Sequence, residues 1–354
     1  MTKEDNNNVF LIAEIGQNHN GSVDVAKLLV DLISRPVFDE YSGLQLRPID
    51  AVKLTKRDLN QELTNSAMHA KYESPHSFGR TYGEHRQILE LSDEEHVEVY
   101  QHSKQKGIRF VETICNPGAL SLLDHFVPDF LKVASRDLTN FPLLQAIAET
   151  QLPTIISTGM HDQKKIDQAL SILSCGISDI SILHCVSEYP THPDSVNLLS
   201  IPYLIEQYPE YRIGYSDHTI GIAIPLAAVA MGARVIEKHV TIDRRMKGTD
   251  QAGSLGPDGV NRMTRDIRLF ERSLGRYGIF VSPESEKARR KLERSVATKR
   301  SIEKGSKITE EDIWMLSPGS GLRWSERNEI VGKTAACDIP ENEIILKGMV
   351  TKND

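Results

Sequence analysis

Two histidines near the middle of the chain offer the clearest chemistry. Gly214-Tyr215-Ser216-Asp217-His218-Thr219 is followed, 21 residues after His218, by His239 in Glu237-Lys238-His239. Each imidazole closes a short β-branched or aromatic run, and an Ala-rich helical segment, Ile222 to Met231, lies between them. The pattern predicts a strand–helix–strand unit with one imidazole at the same end of two successive parallel strands. In a barrel of such units this is the end where active sites are built. A lone histidine is more often a hydrogen-bonded structural residue. A pair at matching strand ends points to a seat for a divalent metal.

Other strand ends carry groups that suit this one. Glu14 follows an apolar run, and a buried carboxylate needs a cationic or hydrogen-bonding partner. Lys53 in Ala51-Val52-Lys53-Leu54 and Lys132 in Phe130-Leu131-Lys132-Val133 are lysines inside apolar strands. Aimed into one barrel mouth, the two ammonium groups repel unless an anion lies between them. The expectation is therefore an anionic ligand carrying phosphate or carboxylate. Thr113, Ser135, Ser157, Thr158, Ser187 and Ser216 close or follow strands and add hydroxyls to such a cradle. Asp137, and Asp250 in Lys247-Gly248-Thr249-Asp250-Gln251, add carboxylates suited to sugar hydroxyls or a water.

The elements that must position these residues recur with a regular rhythm. Strand-like runs occur at 9–15, 51–54, 108–113, 130–134, 154–157, 180–184, 212–215 and 235–239. Segments with helical apolar spacing, such as 23–33, 94–106, 142–149, 164–173 and 260–274, lie between or after them. Eight such β/α units in roughly 275 residues predict an α/β fold, a (β/α)₈ barrel. An open doubly wound sheet is disfavoured, since no GxGxxG follows the first strand. From Thr55 to Leu91 no strong period emerges, and a loop of that length inside a domain is often functional. It is rich in groups that bind anions and sugars, including Lys56, Arg57, Lys71, Tyr72, His76, Arg80, Tyr82, His85 and Arg86.

Composition changes near Ser282. The expected organisation is a barrel domain over residues 1–281, a charged helical linker over 282–294 and a small β-rich domain over 295–354. In the last, Ile302-Glu303-Lys304-Gly305-Ser306-Lys307-Ile308 is loosely echoed by Ile339-Pro340-Glu341-Asn342-Glu343-Ile344-Ile345. Thr309 with Asp312 reads as a helix cap with an acidic capping-box partner.

The chain has 354 residues, 39% hydrophobic and 26% charged, as in ordinary globular proteins. Its net charge of −7, from 42 basic and 49 acidic residues, argues against a nucleic-acid partner. Cys115, Cys175, Cys185 and Cys337 show no CxxC spacing and read as reduced thiols. No apolar run approaches the ~20 residues of a membrane span. Met1 to Asn8 has no signal-peptide core, so no membrane partner and a cytoplasmic location are expected.

Together these residues resemble the sialic acid (N-acetylneuraminate) synthase family, which condenses phosphoenolpyruvate with an N-acylated hexosamine. The resemblance rests on Ile12-Ala13-Glu14-Ile15-Gly16-Gln17-Asn18-His19, Thr81-Tyr82-Gly83-Glu84-His85, Ser157-Thr158-Gly159-Met160, His184-Cys185 with Tyr189-Pro190, Gly214 to His218, and Glu237-Lys238-His239. The tail resembles the SAF, or antifreeze-like, domain that ends family members. There it reaches over a partner's barrel in a domain-swapped homodimer.

The resemblance implies roles residue by residue. His218 and His239 match the family's metal ligands, which usually hold a manganese-type ion, with Mg²⁺ or Co²⁺ as alternatives. Lys53, Thr113, Lys132, Ser135, Ser157, Ser187 and Ser216 match phosphoenolpyruvate contacts. Glu14 matches an acidic residue that positions or deprotonates reacting groups. Asp137, Tyr189 and Asp250 match sugar-side contacts, and Asp250 joins Glu14, Lys53 and Lys132 as a catalytic candidate. Thr55 stands where the family often has Gln, and Ala134-Ser135-Arg136-Asp137 where it often has Gly-Ser-Gly-Asp/Glu. In the tail, Ser317 replaces a family arginine, while Arg323 beside Trp324 is suited to bond a sugar substituent. These departures lie on the sugar side. The expected product is thus a nine-carbon 2-keto acid from an N-acetylmannosamine-type sugar, free or 6-phosphorylated. The alternatives are a related synthase for a shorter sugar phosphate and a non-catalytic sugar-binding homologue.

Overall fold

A computed structural model of the chain describes residues 8–351; most of the N-terminal polar stretch read for a leader lies outside them. The chain divides into two compact units, Met1–Leu274 and Gly275–Asp354. The division falls before the boundary expected after Val281, and the helix Pro283–Leu292 occupies the stretch expected as a linker.

In the first unit eight parallel strands close a barrel: β1 (Phe10–Glu14), β2 (Ala51–Lys56), β3 (Arg109–Ile114), β4 (Phe130–Val133), β5 (Thr154–Ser157), β6 (Ile180–Cys185), β7 (Arg212–Asp217) and β8 (Val235–His239). Each pairs with its sequence neighbour, and β8 returns to β1, where Glu14 lies opposite both His239 and Lys53. The runs are apolar on both faces because helices cover the outside while side chains fill the inside. The helix Val23–Ile33 shows how the cover forms. Ser22 caps it by accepting from the Val25 amide, and Ala26, Leu29, Val30 and Ile33 make one buried stripe.

The barrel is filled in layers, since alternate residues of a strand face inward. Phe10, Ile12, Ala51, Val111, Phe130, Ile155, Leu183 and Val235 form an apolar plug. Two residues on, the same faces turn polar, with Glu14, Lys53, Thr113, Lys132, Ser157 and Glu237 all buried.

The connection after β2 is more structured than its sequence period suggests. It holds short helices Leu59–Glu62 and Asn65–Met68 and a longer one, Tyr82–Leu89. The last is started by a capping box, Thr81 with Glu84 three residues later. Between the helix Val23–Ile33 and β2, the chain forms a two-stranded hairpin, Val37–Asp39 with Leu44–Leu46. Among the described residues no helix is long and apolar enough to cross a membrane.

The second unit has its own core of Val296, Ile302, Ile308, Ile313, Leu322, Ile330, Ala335, Ile339, Ile345 and Val350. Its strands β9 (Ser295–Thr298) and β10 (Ile313–Leu316) pair antiparallel. The two echoing segments join each other, with Ile302 and Ile339 exchanging both backbone hydrogen bonds at 2.8 Å.

Candidate active site

The C-terminal ends of the barrel strands surround a cavity of about 300 Å³. Lys53 sits at the centre of its floor. Its Nζ lies 2.7 Å from Glu14 Oε2, donates to Thr113 Oγ1 at 3.0 Å, and is 3.6 Å from Glu237 Oε1. Lys132 Nζ donates to Ser157 Oγ at 2.6 Å and is 3.7 Å from the same Glu237 oxygen. Ser216 Oγ also donates to that oxygen, at 3.0 Å. A carboxylate of the protein therefore lies between the two lysines. The expectation that their convergence requires an outside anion is corrected, because Glu237 already offsets the repulsion.

Burial separates the two carboxyls. It pushes Glu14 up to about 7, against the pull of Lys53. Burial also acts to raise Glu237, but Lys132 and Lys53 outweigh it and hold the carboxyl down, at about 2. Glu237 thus stays charged while Glu14 exchanges a proton near neutrality. Burial lowers Lys132, assisted by Lys53 and opposed by Glu237.

The hydroxyls on the next wall are brought together by a glycine. Gly159 donates its N–H to Ser135 Oγ at 3.0 Å. A Cβ on Gly159 would stand 2.5 Å from Ser187 Oγ and 2.9 Å from Ser135 Oγ, so only glycine leaves that corner open. Gly16, at φ +52°, plays a similar part for Glu14, whose Oε1 would be 2.6 Å from a Cβ there.

The imidazoles of His218 and His239 lie 5.4 Å apart, centroid to centroid. His218 Nδ1 is 2.8 Å from the Val186 carbonyl, a contact that makes Nδ1 the donor and leaves Nε2 a free acceptor. His239 Nδ1 is buried with no hydrogen-bond partner, and Asp250 Oδ2 is 3.7 Å away. Burial lowers His239, keeping it the neutral ligand form. Among the described residues no three His, Cys, Asp or Glu side chains form a ready metal cluster. The pair instead fits an ion that takes two imidazoles and leaves positions open for ligands from outside the protein.

Behind the imidazoles, Asp217 and Lys238 are register partners on β7 and β8 and point outward. They form a fully buried ion pair, 2.5 Å apart. Asp217 also accepts from Tyr215 OH and the Thr219 amide, and Lys238 donates to the Thr219 carbonyl. Each member directly precedes a histidine, so the pair fixes the two strand ends side by side.

Tyr189 stacks 3.9 Å from His218, and with Thr55 and Asp250 it lines the cavity. Asp137 does not line it. Its carboxylate accepts from Arg136 Nε at 3.2 Å, and Arg136 lines the wall instead. Arg57 and Arg86 stand there too, whereas Arg80 borders a separate depression beside Phe78. Arg323 belongs to the second unit, is exposed, and lies 3.7 Å from Glu293. Sequence reasoning missed Glu237, although it lies two residues from both Val235 and His239 on one strand face. It noted Arg136 only as a departure from a pattern.

The fold and this arrangement agree with known proteins. A model of the NeuB family matches residues 47–278, and a SAF domain model matches 293–351. The chain belongs to the NeuB family. It is 34% identical to the N-acetylneuraminate-9-phosphate synthase of Homo sapiens, over 96% of this chain and 92% of that protein. It is 35% identical to the N,N'-diacetyllegionaminic acid synthase of Legionella pneumophila, over 95% and 93%. The crystal structure of an N-acetylneuraminic acid (sialic acid) synthetase from Leptospira borgpetersenii, in complex with citrate, matches with a TM-score of 0.66 and 30% identity. It covers 80% of this chain and 90% of that one. This chain is a closed eight-stranded barrel followed by a SAF domain.

Proposed function

We propose that this chain is a nonulosonate synthase. It condenses phosphoenolpyruvate with an N-acetylmannosamine-type sugar to give a nine-carbon 2-keto acid and inorganic phosphate. The observation that carries this reading is the cavity floor, where Lys53 and Lys132 flank Glu237 among five hydroxyls, beside the imidazoles of His218 and His239.

Each residue has a task that its position supports. Lys53 and Lys132, with Thr113, Ser135, Ser157, Ser187 and Ser216, hold the phosphate and carboxylate of phosphoenolpyruvate and offset their charge. Glu237 keeps both ammonium groups in place. Thr55, Tyr189 and Asp250 orient the sugar so that its open-chain carbonyl faces the methylene carbon of the donor. A divalent cation at His218 and His239, Mn²⁺ first and Mg²⁺ or Co²⁺ as alternatives, supplies Lewis-acid polarisation of that carbonyl when bound. The new bond joins the methylene carbon to the carbonyl carbon. A water then adds to carbon two of the donor, and the tetrahedral centre expels phosphate. Glu14, poised near neutrality, takes the proton from that water.

Two further parts of the reading concern assembly and location. The exposed Arg323 is assigned to the acceptor of a partner subunit in a domain-swapped homodimer. The free cysteines, Cys175 and Cys337 exposed among them, support a cytoplasmic location. The test is phosphate release. It is expected only when phosphoenolpyruvate, an N-acylated mannosamine and a divalent cation are all present. Release that ignores the sugar would refute the reading.

A further inference from the structure

The cavity has a second cationic tier outside the first. Arg57 follows Lys53 by four residues, one past the end of β2, and Arg136 follows Lys132 by four, beyond β4. Each of the two strands therefore carries a lysine at the floor and is followed by an arginine at the mouth. Arg86, on the helix Tyr82–Leu89, lines the same wall.

The three guanidiniums converge on Glu62, whose Oε1 is 3.0 Å from Arg136, 3.4 Å from Arg57 and 4.0 Å from Arg86. Arg57 also pairs with Glu90 at 3.2 Å, and Arg136 with Asp137 at 3.2 Å. In the amide orientation that satisfies both groups, Gln17 accepts from Arg57 Nη2 at 2.8 Å and from Arg86 Nη1. Charge is thus balanced within the protein, but hydrogen bonding is not. Arg57 Nε and both oxygens of Glu62 are buried and make no hydrogen bond. A buried guanidinium N–H left without a partner is costly, and an oxyanion is a partner that converging guanidiniums fit. Burial also holds the carboxyls of Glu90 and Asp137 above their ordinary range, so the protein's own anions are there at some cost.

We propose that Arg57, Arg86 and Arg136 form an anion subsite for the acceptor, so that this chain takes an amino sugar bearing a phosphate or carboxylate. The inference rests on the synthase reading, in which the floor lysines are already occupied by the donor. Arg136 is the residue to change, because its side chain is 37% exposed and it stands past the end of β4, outside the barrel strands. Arg86→Gln is the second variant.

Calorimetric titration of the whole protein in the presence of phosphoenolpyruvate reads the subsite directly. N-acetylmannosamine 6-phosphate, N-acetylmannosaminuronic acid and N-acetylmannosamine are the probes. One or both anionic sugars are expected to bind at least about 100-fold tighter than the neutral one, and which one separates phosphate from carboxylate recognition. Arg136→Gly and Arg86→Gln are each expected to reduce that preference about tenfold or more, as loss of a charge-assisted hydrogen bond does, with donor affinity unchanged. Equal binding of the neutral sugar, or a preference that survives both variants, would overturn the proposal. Binding and turnover fail separately. If no acceptor releases phosphate, the synthase reading falls, while the titration still decides the subsite.

Discussion

The floor and the mouth of this cavity are built differently. Every floor group stands on a barrel strand or at its end, held by the hydrogen bonds of a closed sheet. The arginines of the mouth come from a strand extension, a helix in the long connection after β2 and the turn after β4. The floor meets the chemistry that all acceptors share. The mouth meets what differs between acceptors, and loops tolerate such change better than strands do. Damage to the floor should therefore stop the reaction whatever the sugar, while damage to the mouth should change which sugar is used.

Metal removal is the harshest test of the floor. Chelation is expected to abolish turnover with every acceptor, and Mn²⁺, Mg²⁺ or Co²⁺ to restore it. Mn²⁺ affinity, followed by electron paramagnetic resonance, should fall at least about tenfold in His239→Ala. It should fall also in Asp217→Asn, which touches no ligand but unlocks the strand ends. Unchanged affinity in both would separate the imidazole pair from metal binding.

Glu14 comes next. With its carboxyl at about 7, the free enzyme gains the proton-accepting form as pH rises, so kcat/KM should climb through that value. Glu14→Gln should flatten the limb and cost about 10²–10⁴-fold in rate. Stability runs the other way. Between the ordinary 4.5 and about 7 the folded chain holds a proton that the unfolded chain has released, so this contribution is lost as pH rises through that window. A pH profile unmoved by Glu14→Gln would assign the proton transfer elsewhere.

The lysines give a smaller effect on binding and a larger one on folding. Lys132→Met leaves Glu237 buried with one cation fewer. It should cost about 3–5 kcal/mol of stability by thermal unfolding. Phosphoenolpyruvate affinity should fall about 10–100-fold, equally for all acceptors. A stabilised variant would restore the repulsion argument that Glu237 displaced. The smallest effect belongs to the second unit. Arg323→Ala should weaken acceptor KM by about tenfold or less, and mixing it with Glu14→Ala subunits should recover activity through hybrid dimers. No recovery on mixing would mean that Arg323 serves its own subunit or no acceptor at all.

Much of the floor was legible in the chain because its physics is local. Strands covered on both faces read as continuous apolar runs, and a Glu or Lys inside such a run has few other places to go. What was not legible depended on distant partners. The charge between Lys53 and Lys132 comes from Glu237, more than a hundred residues away from either. The alternation from Val235 through Glu237 to His239 was nonetheless visible. The helix Tyr82–Leu89 was hidden by its weak apolar period, although the capping box at Thr81 and Glu84 announced its start. Asp137 was placed by pattern, and the structure turns it toward Arg136, since a carboxylate beside a guanidinium pairs locally before it reaches a cavity. Arg136 itself had no local signal beyond being a charged residue in a turn.

The central claim is that the barrel joins the two substrates by carbon–carbon bond formation and carbon–oxygen cleavage. Phosphoenolpyruvate labelled with ¹⁸O in its bridging oxygen tests this most directly, with both products read by mass spectrometry. The expected result is a nine-carbon keto acid without label and inorganic phosphate carrying it, because water supplies the new oxygen at carbon two. Label retained in the organic product, or a phosphorylated sugar in place of the keto acid, would contradict the account.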